Sequence, residues 1–169
     1  NISPAFRGAA TYNNVTFAQS GSITYMDTET GDNWIIAGTL TINAGATLTN
    51  QGYDDRINCT GACSIAGTLT LNHASGADTS FGSMTIASGG EYSATSGTTT
   101  ISTGTIDNDG TLTHNKGTIK IDHDTGITLD LTGSDASVIP VYNLIVDTDN
   151  TVGYAACTIG NNLTKKGSG

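Results

Sequence analysis

The side chains best suited to chemistry in this chain are carboxylates, and they come in small groups. Tyr53, Asp54, Asp55 and Arg56 sit together in the polar stretch Gln51–Asn58. Acid–base chemistry on a glycosidic bond needs two carboxyl groups roughly 5 to 9.5 Å apart, one on each side of the substrate. Asp54 and Asp55 are adjacent, and no second acidic cluster recurs one repeat away. The stretch therefore reads as a protruding loop, with Tyr53, Asp54, Asp55 and Arg56 as a contact surface for a partner and no catalytic residue assigned.

Other acidic groups are Asp27, Glu29 and Asp32; Asp107 and Asp109; Asp122 and Asp124; and Asp147 and Asp149. Alternating Asp in a turn can offer oxygen ligands to Ca²⁺, which makes Asp107, Asp109, Asp147 and Asp149 the candidate ligands. None of these groups has the EF-hand spacing with its terminal Glu, and the Gly-rich nonapeptide of calcium-binding β-rolls is absent. Solvated turns are the plainer reading, and Ca²⁺ is the one cofactor considered. His73, His114 and His123 are scattered and read as structural polar residues.

Cys59 and Cys63 bracket Thr60-Gly61-Ala62, and Cys157 lies far away. In an oxidising compartment Cys59 and Cys63 would close a small loop by a disulfide. The alternative is that all three are small buried hydrophobes. No second Cys or His pair stands at zinc-ligand spacing. Asn14, Asn58 and Asn162 each begin an Asn-x-Thr triplet and are candidate N-glycosylation sites. Among the aromatics, Tyr53 is the best placed to stack on a sugar ring, whereas Trp34 and Tyr142 read as core or cap residues.

These side chains must be positioned by strands. Ile36-Ala37-Gly38-Thr39-Leu40-Thr41-Ile42-Asn43 returns 29 residues later as Ile65-Ala66-Gly67-Thr68-Leu69-Thr70-Leu71-Asn72. Echoes follow at Gly97–Ile101, Gly110–His114 and Gly117–Ile121. Each unit is a glycine followed by alternating Thr and aliphatic residues. One copy cannot bury its apolar face alone, but stacked copies can, which points to a solenoid. Gly97, Gly104, Gly110 and Gly117 stand at steps of 7, 6 and 7 residues. Three such steps make a coil of about 20 residues, suited to a three-sided β-helix with one short strand per side.

Alternation sends Leu40, Ile42, Leu48, Leu69, Leu71, Met84, Ile86, Ile101, Ile106, Leu112, Ile119, Ile121, Leu129 and Leu131 inward, and the Thr residues of the same strands outward. Flat Thr rows could bind ice, but irregular coils and intervening loops weigh against that use. Gln51–Asn58 and His73–Ser80 are read as the two loops that break the rhythm.

Composition agrees with strands. Hydrophobic residues make up 36% of the chain and aromatic residues 6%, with 22 Gly and 2 Pro, so a narrow aliphatic core fits better than a wide one. No window carries helical apolar spacing. The formal charge is −9, from 15 acidic and 6 basic residues, which argues against nucleic acid and against anionic membrane surfaces. No stretch is apolar enough to span a bilayer as a helix. The chain opens at Asn1 and reads as a processed form or an excised fragment.

The phrases Gly38–Gly52, Gly67–Gly76 and Val141–Thr164 resemble the repetitive right-handed parallel β-helix segments of large secreted adhesin-like proteins and of virus or phage fibre and surface proteins. The resemblance implies an extracellular, cell-surface or virion-surface structural role, with recognition on loops or outer faces and assembly into trimers or filaments.

The expectation is thus an all-β right-handed parallel β-helix, with a β-sandwich as the alternative fold. Residues 1–33 would form an N-terminal cap or connection, 34–164 the β-solenoid and 165–169 a linker or tail. The expected function is structural and adhesive without catalysis, the partners being other copies of the chain and a cell-surface glycan. The alternative is a carbohydrate-binding or carbohydrate-cleaving β-helix protein.

Overall fold

The structure, a computed structural model, describes residues 10–18, 20–21, 23–25, 33–50, 56–71, 76–125, 127–133, 141–148, 153–154 and 158–166. These residues are all β and turn. The strands are β1 (Ala10–Tyr12), β2 (Val15–Phe17), β3 (Ile23–Tyr25), β4 (Asn33–Ile36), β5 (Leu40–Ile42), β6 (Thr47–Thr49), β7 (Arg56–Ile65), β8 (Thr68–Thr70) and β9 (Thr79–Ile86). They continue with β10 (Glu91–Ser93), β11 (Thr98–Ile101), β12 (Thr105–Asn108), β13 (Thr111–Thr113), β14 (Thr118–Asp122), β15 (Thr128–Asp130), β16 (Val141–Asp147), β17 (Gly153–Tyr154) and β18 (Ile159–Lys166).

Every strand pairs in parallel with the strand one coil away, which defines a β-solenoid and removes the β-sandwich alternative. The first face carries β1, β4, β7, β9, β11, β14, β16 and β18 in that order. The second carries β2, β5, the latter halves of β7 and β9, then β12, β15 and β17. The third carries β3, β6, β8, β10 and β13. β1–β3 thus pair in parallel with β4–β6, within the segment expected to be an N-terminal cap or connection. The rest of that segment lies outside the described residues.

The core is built of columns, one side chain per coil. Ile36, Cys59, Phe81, Ile101, Ile121 and Val146 stack along the first face. Leu40, Cys63, Met84, Ile106 and Leu129 stack along the second. Leu48, Leu69, Tyr92 and Leu112 stack along the third. All fourteen aliphatic residues expected to point inward are buried. This is the consequence of a period of two, which commits a whole strand to one facing once a single residue is buried. At the first turns the column is widened by Trp34, stacked on Phe17 with ring centroids 6.4 Å apart and met edge-on by Tyr12.

The corners need glycine because the backbones of successive coils nearly touch there. A Cβ on Gly82 would collide with Thr60 O and lie 2.7 Å from Gly61 O. A Cβ on Gly61 would collide in turn with Gly38 O, the carbonyl that accepts the Gly61 N–H at 2.9 Å.

Two expectations about loops are corrected. Arg56, Ile57 and Asn58 begin β7 and are not loop, because Ile57 continues the alternation inward and stacks on Trp34. Thr79 and Ser80 likewise begin β9, drawn in by Phe81 beside Cys59. Lys165 and Lys166 belong to β18 and are not part of a tail.

Candidate functional site

Of the contact surface expected at Tyr53, Asp54, Asp55 and Arg56, only Arg56 is described. It is exposed at the start of β7, in register with Asn33. Tyr53, Asp54 and Asp55 lie outside the described residues, as do His73, Asp149 and Cys157.

Of the two candidate calcium groups, Asp107 with Asp109 is described in full and Asp147 without its neighbour Asp149. Asp107 is exposed on the second face, with Thr85 and Asp130 as its register neighbours. Asp109 is exposed in the turn that follows. Asp147 ends β16 on the first face, where its carboxylate lies 3.2 Å from Lys120 Nζ. The sequence groups Asp107 with Asp109, yet across coils the neighbour of Asp107 is Asp130. The signal for that pairing is the coil period, with Ile106 stacked on Leu129 one residue before. Thr132 donates to Asp130 Oδ1 from its hydroxyl at 2.7 Å and from its N–H at 3.1 Å. These bonds hold the Asp130 carboxyl below the usual carboxylate range.

A charged cluster that sequence reading did not single out lies at the far end of the first face. Lys120 Nζ donates to Asp122 Oδ2 at 2.7 Å and reaches Asp147 one coil away. Hydrogen bonding to Asp122 is the main reason that the Lys120 pKa is raised. Asp147 is itself in register with Lys166.

The cysteines face the core on either side of one corner. Cys59 points inward from the first face and Cys63 from the second, and both are free thiols, so the expected bridge is not formed in this structure. Cys59 Sγ donates to Gly38 O at 3.3 Å. Burial raises both thiol pKa values, that of Cys63 the more strongly. Two thiols held as neutral hydrophobes are poor nucleophiles.

The remaining candidates are dispersed. His114 accepts the Lys116 N–H at Nδ1 over 2.8 Å and packs on Tyr142 with ring centroids 5.3 Å apart. His123 Nε2 sits 3.5 Å from Thr125 Oγ1. Among the described residues no group of three or more His, Cys, Asp or Glu is placed to share a metal ion. Tyr92 and Trp34 are buried, so neither offers a face to a sugar. Asn14 and Asn162 are exposed. Asn58 is half-buried near the start of β7, where its Oδ1 accepts the Ser80 hydroxyl at 3.0 Å.

The most regular arrangement of functional groups is on the third face. Thr47, Thr68, Glu91 and Thr111 form one outward column, and Thr49, Thr70, Ser93 and Thr113 form the next. Register shifts occur in the β7–β9 and β16–β18 pairs, and none interrupts β6, β8, β10 and β13.

Fold and surface together define the class: a three-sided parallel β-solenoid whose described polar groups are distributed over outer faces and corners. Compared with known proteins, the chain matches no family model, no curated sequence and no solved structure.

Proposed function

We propose that the chain is a non-catalytic structural and adhesive β-solenoid of the extracellular space or of a cell or virion surface, a subunit of a fibre, filament or viral coat. The observation that carries this reading is the ladder of eight parallel strands on the first face, backed by a narrow core of mostly aliphatic residues. A ladder whose coils are locked by main-chain bonds and stacked side chains behaves as a stiff rod, and rigid display is what such a rod supplies.

The last described strand exposes one residue of a core column. In β18, Leu163 is 64% exposed, while its register partner Leu144 is 4% exposed in the core. Among the described residues β18 pairs only with β16. A further coil stacked on β18, from this chain or from another copy, would cover that residue. Where that coil comes from a second copy, added head to tail, it would bury Leu163 and propagate as a filament. The segment around Tyr53, Asp54, Asp55 and Arg56 would meet the external partner, a cell-surface glycan.

Electron microscopy of the purified protein, with its mass in solution, tests the reading. Filaments, trimers or particle-bound spikes are expected. A monodisperse monomer that binds or cleaves soluble glycans would replace it with a carbohydrate-active β-helix.

A further inference from the structure

We propose that the third face is an ice-binding surface, a use separate from the structural and adhesive role and not dependent on it. The argument starts from the repeat of the groups on that face. Along a parallel strand alternate residues stand about 6.6 Å apart, and neighbouring strands are about 4.8 Å apart. The two outward columns therefore form a flat two-dimensional net of side chains, four coils long and two residues wide, without a register shift. Seven of its eight positions carry a hydroxyl, and six of those are Thr. Thr is β-branched and stiff at χ1, so its methyl and hydroxyl hold their positions in the net.

The hydroxyls are available. Thr49 donates to Asn50 O at 3.1 Å, and Ser93 accepts from Asn115 Nδ2 at 2.8 Å. Thr47, Thr68, Thr70, Thr111 and Thr113 are half-exposed or exposed, and among the described residues their side chains make no hydrogen bond to the protein. Each is left to bond water.

What such a face recognises follows from its regularity. Among β6, β8, β10 and β13 the one aromatic side chain, Tyr92, points into the core, while Tyr25 of β3 stands in register with Thr49 at the end of the net. Within those four strands the net offers a sugar ring no aromatic to stack on. Identical weak donors at a fixed repeat gain little from liquid water, which has no repeat. They gain together from a solid whose surface oxygens recur at commensurate distances, because every contact after the first is already positioned. The oxygen rows on the prism face of hexagonal ice recur at distances of this size, and the Thr methyl groups fill the hollows between them. Glu91 is the single charged interruption, and it lies in the middle of the net.

The test is partition into a slowly grown ice hemisphere, with the protein labelled on its lysine amines. Lys116, Lys120, Lys165 and Lys166 all lie off the third face. The protein is expected to be enriched in ice over an inert labelled control, and to facet ice crystals under the microscope. Thr68→Lys should bring the enrichment down to the control level, while Thr41→Lys on the second face leaves it unchanged. Glu91→Thr should raise it. Circular dichroism and thermal unfolding of each variant establish that the fold is retained. Partition no greater than the control, equal losses for Thr68→Lys and Thr41→Lys, or a decrease for Glu91→Thr in a folded protein would each overturn the proposal. So would binding to crystalline cellulose with no enrichment in ice.

Discussion

The hydroxyl of Tyr92 lies 2.9 Å from Thr99 Oγ1 in the interior of the solenoid, a hydrogen bond that joins the third face to the first. Both residues are about 1% exposed. Phe81 meets the Tyr92 ring edge-on, at a centroid separation of 6.2 Å. A tyrosine in an otherwise aliphatic column is tolerated because its one polar atom finds a partner across the core.

Removing one partner should cost more than removing both. Thr99→Val leaves the buried phenol unpaired and should destabilise by about 1–3 kcal/mol. Combining it with Tyr92→Phe should recover part of that loss. Denaturant titrations of the two single variants and the double variant give the coupling; strictly additive losses would mean that the bond contributes nothing to stability.

Stability should fall in alkali. Burial holds Cys59 and Cys63 above their ordinary value of 9.0, and Tyr92 above 10.0. The folded state therefore binds these protons more tightly than the unfolded chain does. Their contribution is complete below the unfolded values and is lost as pH rises from about 9 through the folded ones. Melting temperatures measured from pH 7 to pH 11, with a Cys59→Ala, Cys63→Ala variant as reference, should show the steeper alkaline decline in the parent; parallel curves would refute the assignment to the thiols.

The thiols should be unreactive while the fold is intact. In a Cys157→Ser background, a thiol-labelling reagent should modify Cys59 and Cys63 only on unfolding, because the thiolate is suppressed and access blocked. Labelling as fast as that of a free thiol, read by mass spectrometry in native buffer, would show that the corner opens.

Gly82→Ala should be disproportionately harmful for a one-carbon change. Its Cβ would meet two backbone carbonyls, and backbone cannot move aside as a side-chain tip can. Overpacking of this kind costs about 1–3 kcal/mol, against a few tenths for Ser88→Ala at an exposed position in the next turn. Equal unfolding midpoints for the two variants would contradict the packed corner.

Much of the fold is legible in the residues because two signals coincide. The Thr–aliphatic alternation decides which side chains enter the core. The 6-to-7-residue glycine steps decide where the chain turns. Where a strand runs through a corner, the signals separate. Arg56–Ile65 contains Asn58-Cys59-Thr60-Gly61, a loop by composition, yet Ile57, Cys59, Cys63 and Ile65 all enter the core along it. Phe81 was missed for the same reason, since Gly82 follows it directly at a corner that β9 crosses without ending.

The sequence by itself determined the period, the facing of the Thr–aliphatic strands and the absence of helix among the described elements, because these depend on neighbours two to seven residues away. Tertiary structure alone decided which groups meet across coils. Asp107 lies beside Asp130 and Lys120 reaches Asp147, although the two pairs are separated by different lengths of chain. Partners lie 20 residues apart at Ile101 and Ile121 but 25 apart at Ile121 and Val146, because the corners absorb different numbers of residues. The evenness of the third face was hidden for that reason: the irregular lengths fall in the connections, and the backbone ladder restores the register of the strands.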